Sequence, residues 1–232
     1  MRTIFCLICH EEFSQQVTWT SLLLSSDQQM CGECYDSLQK ITGSTCSRCF
    51  RPQESDEICS DCQRWNADEQ WQNVIRKNVS VFHYNDAMKD ILAAYKFRGD
   101  AELVKVFQKD FLASFKKYYS SYKIDGAVPI PLSEERLYER GFNQAKLLAN
   151  KLPLPQLDIL QRTHHEKQSK KSRQQRITAS NVFSLKNSSK IGNKKLLLID
   201  DIYTTGSTLH HAAKVLIDHG AETVYSLTLI RS

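Results

Sequence analysis

Apolar residues recur along this chain with two different periods, and the change of period marks the elements. VSVFHY (79–84) reads as a strand, while 86–97 and 101–118 read as helices. In the second of these helices Val104, Phe107, Phe111 and Phe115 fall three or four apart, which puts one apolar face on it. Between the two helices lies YKFRGD (95–100), basic and aromatic, ending in a turn. DGAVPIPLS (125–133) is a buried strand running into a loop, EERLYERGFN (134–143) a charge-dense loop, and QAKLLANKL (144–152) a helix. LPLPQLDILQR (152–162) is a turn followed by a strand. HHEKQSKKSRQQRITASN (164–181) has almost no apolar residues, a long polar segment expected to order only on a ligand. KLLLID (195–200) is a strand, TGSTLHHAAKVLIDHGA (205–221) a helix ending near Gly220, and TVYSLTLIR (223–231) a last strand. Strands alternating with helices predict an α/β fold with a mostly parallel sheet flanked by helices.

The first 65 residues lack this pattern and hold all eight cysteines, in four CxxC pairs: Cys6/Cys9, Cys31/Cys34, Cys46/Cys49 and Cys59/Cys62. A CxxC knuckle sets two thiolates on one side of a tight turn, and two knuckles complete a tetrahedral zinc site. A disulfide framework would also use eight cysteines, but needs an oxidising compartment. A redox CxxC usually occurs once, near a βαβ pattern. The spacing therefore predicts a double zinc module over 1–65 with two structural Zn²⁺ ions. Pairing knuckle one with two and three with four needs the shortest loops, and an interleaved pairing stays open. Eight ligands leave no open coordination position, so the metals hold shape. Such a module displays a surface to nucleic acid, to a protein, or to its own neighbour. His10 is read as a surface residue, residues 66–78 as a polar linker, and 79–232 as the α/β domain.

Charge sharpens this division. Residues 1–65 carry 5 Lys/Arg against 9 Asp/Glu, whereas 66–232 carry 26 against 17, so the C-terminal part is suited to an anionic partner. The longest aliphatic run is Leu196–Ile199, which excludes membrane insertion. The start, MRTIFCLICHEEF, has no apolar run of signal-peptide length, and a cytoplasmic protein is expected.

The densest chemistry lies in LLLIDDIYTTGSTL (196–209). An apolar strand leading through a Gly-containing turn into a helix is where open α/β sheets bind ligands. Thr204–Thr208 offers backbone N–H groups and hydroxyls at a helix N-terminus, where the dipole favours an anion. Neither GxxxxGK[ST] nor GxGxxG is present, which excludes the usual nucleoside-triphosphate and dinucleotide loops. Asp200 and Asp201 fit a ligand carrying a diol and Mg²⁺ besides its phosphate.

LLLIDDIYTTGST resembles the signature of type I phosphoribosyltransferases: four hydrophobics, two acids, then a loop of small residues. The resemblance implies that Asp200 and Asp201 meet the ribose hydroxyls of phosphoribosyl pyrophosphate (PRPP). It also implies that Tyr203, Thr204, Thr205, Gly206, Ser207 and Thr208 hold its 5′-phosphate. Together with the cysteine knuckles, YKFRGD and VPIPLSEERLYERGFNQA, the whole chain resembles the ComF family of competence proteins. That implies a role in DNA uptake during natural transformation, on single-stranded DNA and with a ComFA-type helicase. It also suggests a place at the inner face of the membrane, through the uptake machinery.

By the same resemblance the loop 132–143 receives pyrophosphate, with Arg136, Arg140, Gly141 and Asn143 as candidates. Arginine binds diphosphate bidentately. The polar segment 164–181 matches the family's hood loop, with Lys167, Lys170, Lys171, Arg173 and Arg176 placed to close over a polyanion. One position departs from the pattern. Purine-salvage members carry an acidic general base where this chain has Thr204, and His210 and His211 fall past the loop, expected to face solvent or packing. PRPP-type binding is thus better supported than transfer. Lys96, Arg98, Lys116, Lys117, Tyr118 and Tyr119 interleave cations with aromatics, as in sequence-independent single-strand binding. Two functions follow: a DNA-handling competence factor with a PRPP-type pocket, or an active phosphoribosyltransferase with an unknown acceptor.

Overall fold

The computed structural model describes residues 2–15, 28–97, 100–162, 182–186 and 191–232. Four strands, β3 (Asn78–His83), β4 (Gly126–Pro129), β7 (Lys195–Tyr203) and β8 (Thr223–Arg231), form one wholly parallel sheet in the order β3-β8-β7-β4. A parallel sheet has both faces covered, so its strands read as continuous apolar runs, as LLLI in β7 does. Leu197, Ile199, Leu227 and Leu229 belong to one core, and Leu196, Leu198 and Val224 to another.

The first core takes in α3 (Asp86–Phe97), α4 (Val104–Tyr119) and α6 (Gln144–Ala149). Phe107, Phe111 and Phe115 are buried there as the helical spacing predicts. The second core lies under α7 (Ser207–Asp218) and includes Cys46, Cys49, Cys59 and Cys62. The cysteine-rich residues are therefore part of the packing of the sheet. Two small antiparallel ribbons complete the described strands: β1 (Arg2–Phe5) with β2 (Glu12–Gln15), and β5 (Leu160–Arg162) with β6 (Phe183–Leu185). The short helix α1 (Gly32–Ser37) follows Cys31, and α2 (Ser60–Ala67) follows Cys59.

Three segments differ from the sequence expectation. The run 66–78 is no free tether: Trp71, Val74 and Ile75 are buried, and Arg48 donates to the Ile75 carbonyl. Its apolar residues are too sparse for a periodic pattern, yet the three large ones are buried. The loop 134–143 contains the helix α5 (Glu134–Arg140), capped by Ser133 Oγ accepting from the Arg136 N–H and ended by Gly141 at φ +73°. Its residues are mostly exposed, so no apolar face announces it. Strand β7 extends beyond Asp200 to Tyr203, because Ile202 and Tyr203 keep their register with Ile230 and Arg231. The paired acids thus lie within the strand. Among the described residues, no helix is long and apolar enough to cross a membrane.

Candidate functional site

The cysteines gather as two quartets, Cys6/Cys9/Cys31/Cys34 and Cys46/Cys49/Cys59/Cys62, each with its ligand atoms within 4.8 Å of one another. Adjacent knuckles pair, which resolves the choice left by spacing. In the second quartet Cys46 Sγ and Cys62 Sγ are 3.8 Å apart, and Cys49 Sγ and Cys59 Sγ 3.5 Å. In the first, Cys9 Sγ and Cys31 Sγ are 3.9 Å apart. A tetrahedron of sulfurs about 2.3 Å from zinc has edges of about 3.8 Å, so the spacing fits the metal. The protonation pattern fits too. The Cys46 thiol is pushed far below its ordinary range, chiefly by its hydrogen bond with Cys49. The Cys49 thiol is held at about 11, chiefly by its hydrogen bond with Cys46, and Cys62 is driven far above its range by the same sulfur. Four buried thiols cannot all ionise side by side unless a cation supplies the opposing charge. His10, beside the first quartet, is exposed as expected.

The acid pair meets cations from three other elements. Asp201 is buried and ion-paired with Lys96, from the last turn of α3. Asp200 is half-buried, and its Oδ1 accepts from the Asp201 N–H at 2.9 Å. Burial first, and the neighbouring Asp201 second, raise the Asp200 carboxyl well above the carboxylate range. Lys96 is the cation that faces the pair directly. Arg140 and Arg162 both lie within electrostatic reach of Asp200, and Arg136 lies within reach of both arginines. Burial, ahead of these charges, lowers the affinity of Arg140 and Arg162 for their protons.

Local sequence explains how these groups are held. Arg140 Nη1 donates to Gln144 Oε1 at 3.1 Å. Gln144 is itself buried, exchanging contacts with Tyr95: the Tyr95 hydroxyl donates to the Gln144 carbonyl at 3.2 Å. Asn143 acts as a brace. Its Nδ2 donates to the Ile130 carbonyl at 2.9 Å and its Oδ1 caps α6. Gly141 supplies the left-handed turn that ends α5. Arg136 is exposed at the rim. Of the four residues expected at this loop, Arg140 lies within electrostatic reach of both acids and Arg136 within reach of Arg140, while Gly141 and Asn143 shape the backbone.

The small-residue loop follows directly. Thr204 and Thr208 are exposed, and Thr205 and Ser207 half-buried. Gly206 caps α7 at φ +80°, and a Cβ there would stand 2.2 Å from the Tyr203 hydroxyl. Tyr203, expected beside the phosphate, points instead into the second core beneath the Arg231 guanidinium, 4.8 Å from its ring centre. Its ring is apolar bulk at the end of a strand, and the core takes it. His210 and His211 are both buried, the packing alternative. Burial holds His210 down at about 4, hence neutral.

The set expected to meet nucleic acid is dispersed. Tyr119 is buried and its hydroxyl donates to the Ser226 carbonyl at 2.7 Å, so its ring has no open face for a base. Tyr118 is half-buried against Phe50 and flanked by Lys77 and Lys117. Lys116 and Lys117 are exposed. Lys96 belongs to the acid pair. Arg98, and the hood residues Lys167, Lys170, Lys171, Arg173 and Arg176, lie outside the described residues. Two residues were missed. Arg162 sits in a three-residue strand with no motif around it. Tyr138, on α5, presents an aromatic ring that is 92% exposed, and the charge-dense sequence around it gives no sign of this.

Comparison with known proteins accounts for this architecture. Residues 138–232 match the phosphoribosyl transferase domain. The competence protein ComFC of Bacillus subtilis (strain 168) is 48% identical over 231 residues, covering 99% of this chain and 95% of that one. The chain belongs to the ComFC family of competence proteins. A second member, ComFC of Streptococcus pneumoniae, is 37% identical over 228 residues, covering 97% of this chain and 99% of that one. A more distant relative, the DNA utilization protein YhgH of Escherichia coli (strain K12), is 25% identical, with 81% and 84% covered. The chain thus carries the phosphoribosyltransferase fold on its parallel sheet, with two four-cysteine clusters ahead of it.

Proposed function

We propose that this protein works in DNA uptake during natural transformation, and that it does so with a pocket for PRPP or a related ribose 5-phosphate. The names of its relatives, competence protein and DNA utilization protein, support the first part. The observation that carries the second is the meeting of Asp200 and Asp201 with Lys96, Arg140 and Arg162, with Arg136 within reach of both arginines, next to the loop Thr204–Thr208. Carboxylates suit a diol, and convergent guanidiniums suit a diphosphate. The N-terminal end of α7 suits the 5′-phosphate. Mg²⁺, which commonly accompanies a diphosphate, would supply charge neutralisation at the acid pair. Zinc would hold the two cysteine quartets. Single-stranded DNA and a ComFA-type helicase are the proposed partners, with the exposed Tyr138 ring on α5 as a face on which a base could stack.

Titration of the protein with ribose 5-phosphate and with PRPP plus Mg²⁺ tests the pocket. A ligand of the folded state raises the melting temperature. No heat of binding and no thermal shift with either would refute the pocket.

The arginine cluster also favours a second reading, transfer of the phosphoribosyl group to an acceptor. Cations opposite the leaving group stabilise departing pyrophosphate. No carboxylate stands at Thr204 to deprotonate an acceptor, so such an acceptor must be nucleophilic already. Release of pyrophosphate from PRPP, lost on joint Asp200→Asn and Asp201→Asn substitution, is the expected sign; PRPP that stays intact with every acceptor tried argues for binding alone.

A further inference from the structure

Four consecutive carbonyls of the loop are held from behind. Arg231 Nη1 donates to the Tyr203 carbonyl at 3.1 Å and to the Thr204 carbonyl at 2.9 Å. Trp65 Nε1 donates to the Thr205 carbonyl at 2.9 Å. His210 Nδ1 lies 2.9 Å from the Gly206 carbonyl, which makes Nδ1 the protonated ring nitrogen. A trans peptide sends its N–H opposite to its C=O, and the described residues contain no cis peptide. The Ser207 N–H donates to Thr205 Oγ1 at 3.4 Å. Fixing the Tyr203, Thr204 and Thr205 carbonyls on one side therefore turns the N–H groups of Thr204, Thr205 and Gly206 to the other. That is the side a phosphate must approach.

The donors are tied to the second cysteine quartet. Trp65 lies on α2, one turn beyond Cys62, and is buried. Arg231 Nη2 donates to Cys49 Sγ at 3.8 Å. The His210 ring stacks on the Trp65 indole, 4.0 Å between centres and 6° from parallel.

We infer that Trp65 and Arg231 are positioning residues, through which the second cysteine quartet sets the peptide orientation of the phosphate loop. The inference rests on the pocket reading and extends it. A flipped peptide would point a carbonyl at the phosphate, so the anchors govern anion affinity without touching the anion. The quartet is then part of the binding device as well as of the core.

The test uses the full zinc-loaded chain, inorganic phosphate and ribose 5-phosphate as probes, calorimetry, and the amide ¹H–¹⁵N resonances of Gly206 and Ser207. Trp65→Phe keeps an aromatic ring against His210 and removes the N–H together with part of the buried indole, so the amide shifts and zinc content are read beside the affinity. Affinity for ribose 5-phosphate is expected to fall roughly fivefold to twentyfold, the worth of one buried hydrogen bond. The phosphate-induced shift of the Gly206 amide should shrink, while bound zinc stays at two per chain. Arg231→Lys, which retains the charge but loses the fork, should act in the same direction. Trp65→Phe binding as tightly as the unaltered protein, with the same amide shifts, would overturn the inference. An unaltered protein that binds neither probe overturns the pocket reading first, and the inference with it.

Discussion

Lys96 and Asp201 form a partly buried ion pair that joins the end of α3 to the acid-bearing end of β7. Two motifs far apart in sequence, YKFRGD and IDDIY, are therefore one site. The lysine supplies a cation beside two carboxyl groups that stand side by side in a strand, and a ligand entering the proposed pocket would compete with it or share it.

Replacing Lys96 by Met leaves the Asp201 carboxylate buried without its cation. The expected cost is about 1–3 kcal/mol, or a melting temperature lower by roughly 3–10 °C. Pairing Lys96→Met with Asp201→Asn should recover part of the loss, and a double-mutant cycle by calorimetry reads the coupling. Strictly additive losses would mean that the pair is not coupled.

Asp200 makes the protein sensitive to pH in a defined direction. Its folded carboxyl is raised above the ordinary value of about 3.9. Between the unfolded and folded values the native state binds more protons than the unfolded one, so stability falls as pH rises from about 4 upward. Asp200→Asn removes that slope and keeps an acceptor for the Asp201 N–H. Thermal melts from pH 4 to 8 should show the variant more stable than the parent by about 1 kcal/mol at pH 7–8, with ribose 5-phosphate binding weakened. A variant with the same pH profile as the parent counts against this account.

Gly206→Ala tests the loop turn. An alanine at φ +80° is strained, and its Cβ would strike the Tyr203 hydroxyl. Loss of about 1–3 kcal/mol is expected, together with loss of phosphate binding by calorimetry. Near-normal stability and affinity would show that the loop tolerates another conformation.

Cys46→Ser removes one ligand from the fully buried quartet. Zinc content, measured by inductively coupled plasma mass spectrometry, is expected to fall from about two to about one per chain. Because this quartet is packed in the core under α7, the melting temperature should fall by more than for Cys9→Ser in the exposed part of the first quartet. Equal losses would assign the two clusters the same structural weight.

Tyr138→Ala addresses DNA. One stacked base is worth about 1–3 kcal/mol, so affinity for single-stranded oligonucleotides should drop roughly fivefold to a hundredfold. Binding by the unaltered protein should weaken steeply with added salt. Undiminished binding by the variant would move the DNA surface elsewhere, towards Lys116 and Lys117.

Much of this was legible in one dimension because each signal is local. A CxxC knuckle is four residues long, so the zinc ligands declare themselves. The parallel strand LLLI is buried on both faces and reads as apolar throughout. The strand, acid pair and small-residue loop are contiguous, and Gly206 stands where a positive φ is required. The helix faces of Phe107, Phe111 and Phe115 follow from a period of 3.6.

What stayed hidden depends on residues brought together by the fold. Lys96 looks like any exposed lysine until α3 delivers it to Asp201, and Arg162 is an isolated cation until a three-residue strand sets it near Asp200. Tyr119 and Tyr203 carry polar groups that suggest a site, yet burial of their rings outweighs this, and both lie in the core. Trp65 reads as part of a polar stretch. Only the packing of the second quartet against β7 and α7 aims its indole at the phosphate loop. Local chemistry is written in adjacent residues, whereas charge balance and peptide orientation arise between elements that meet only when the sheet has closed.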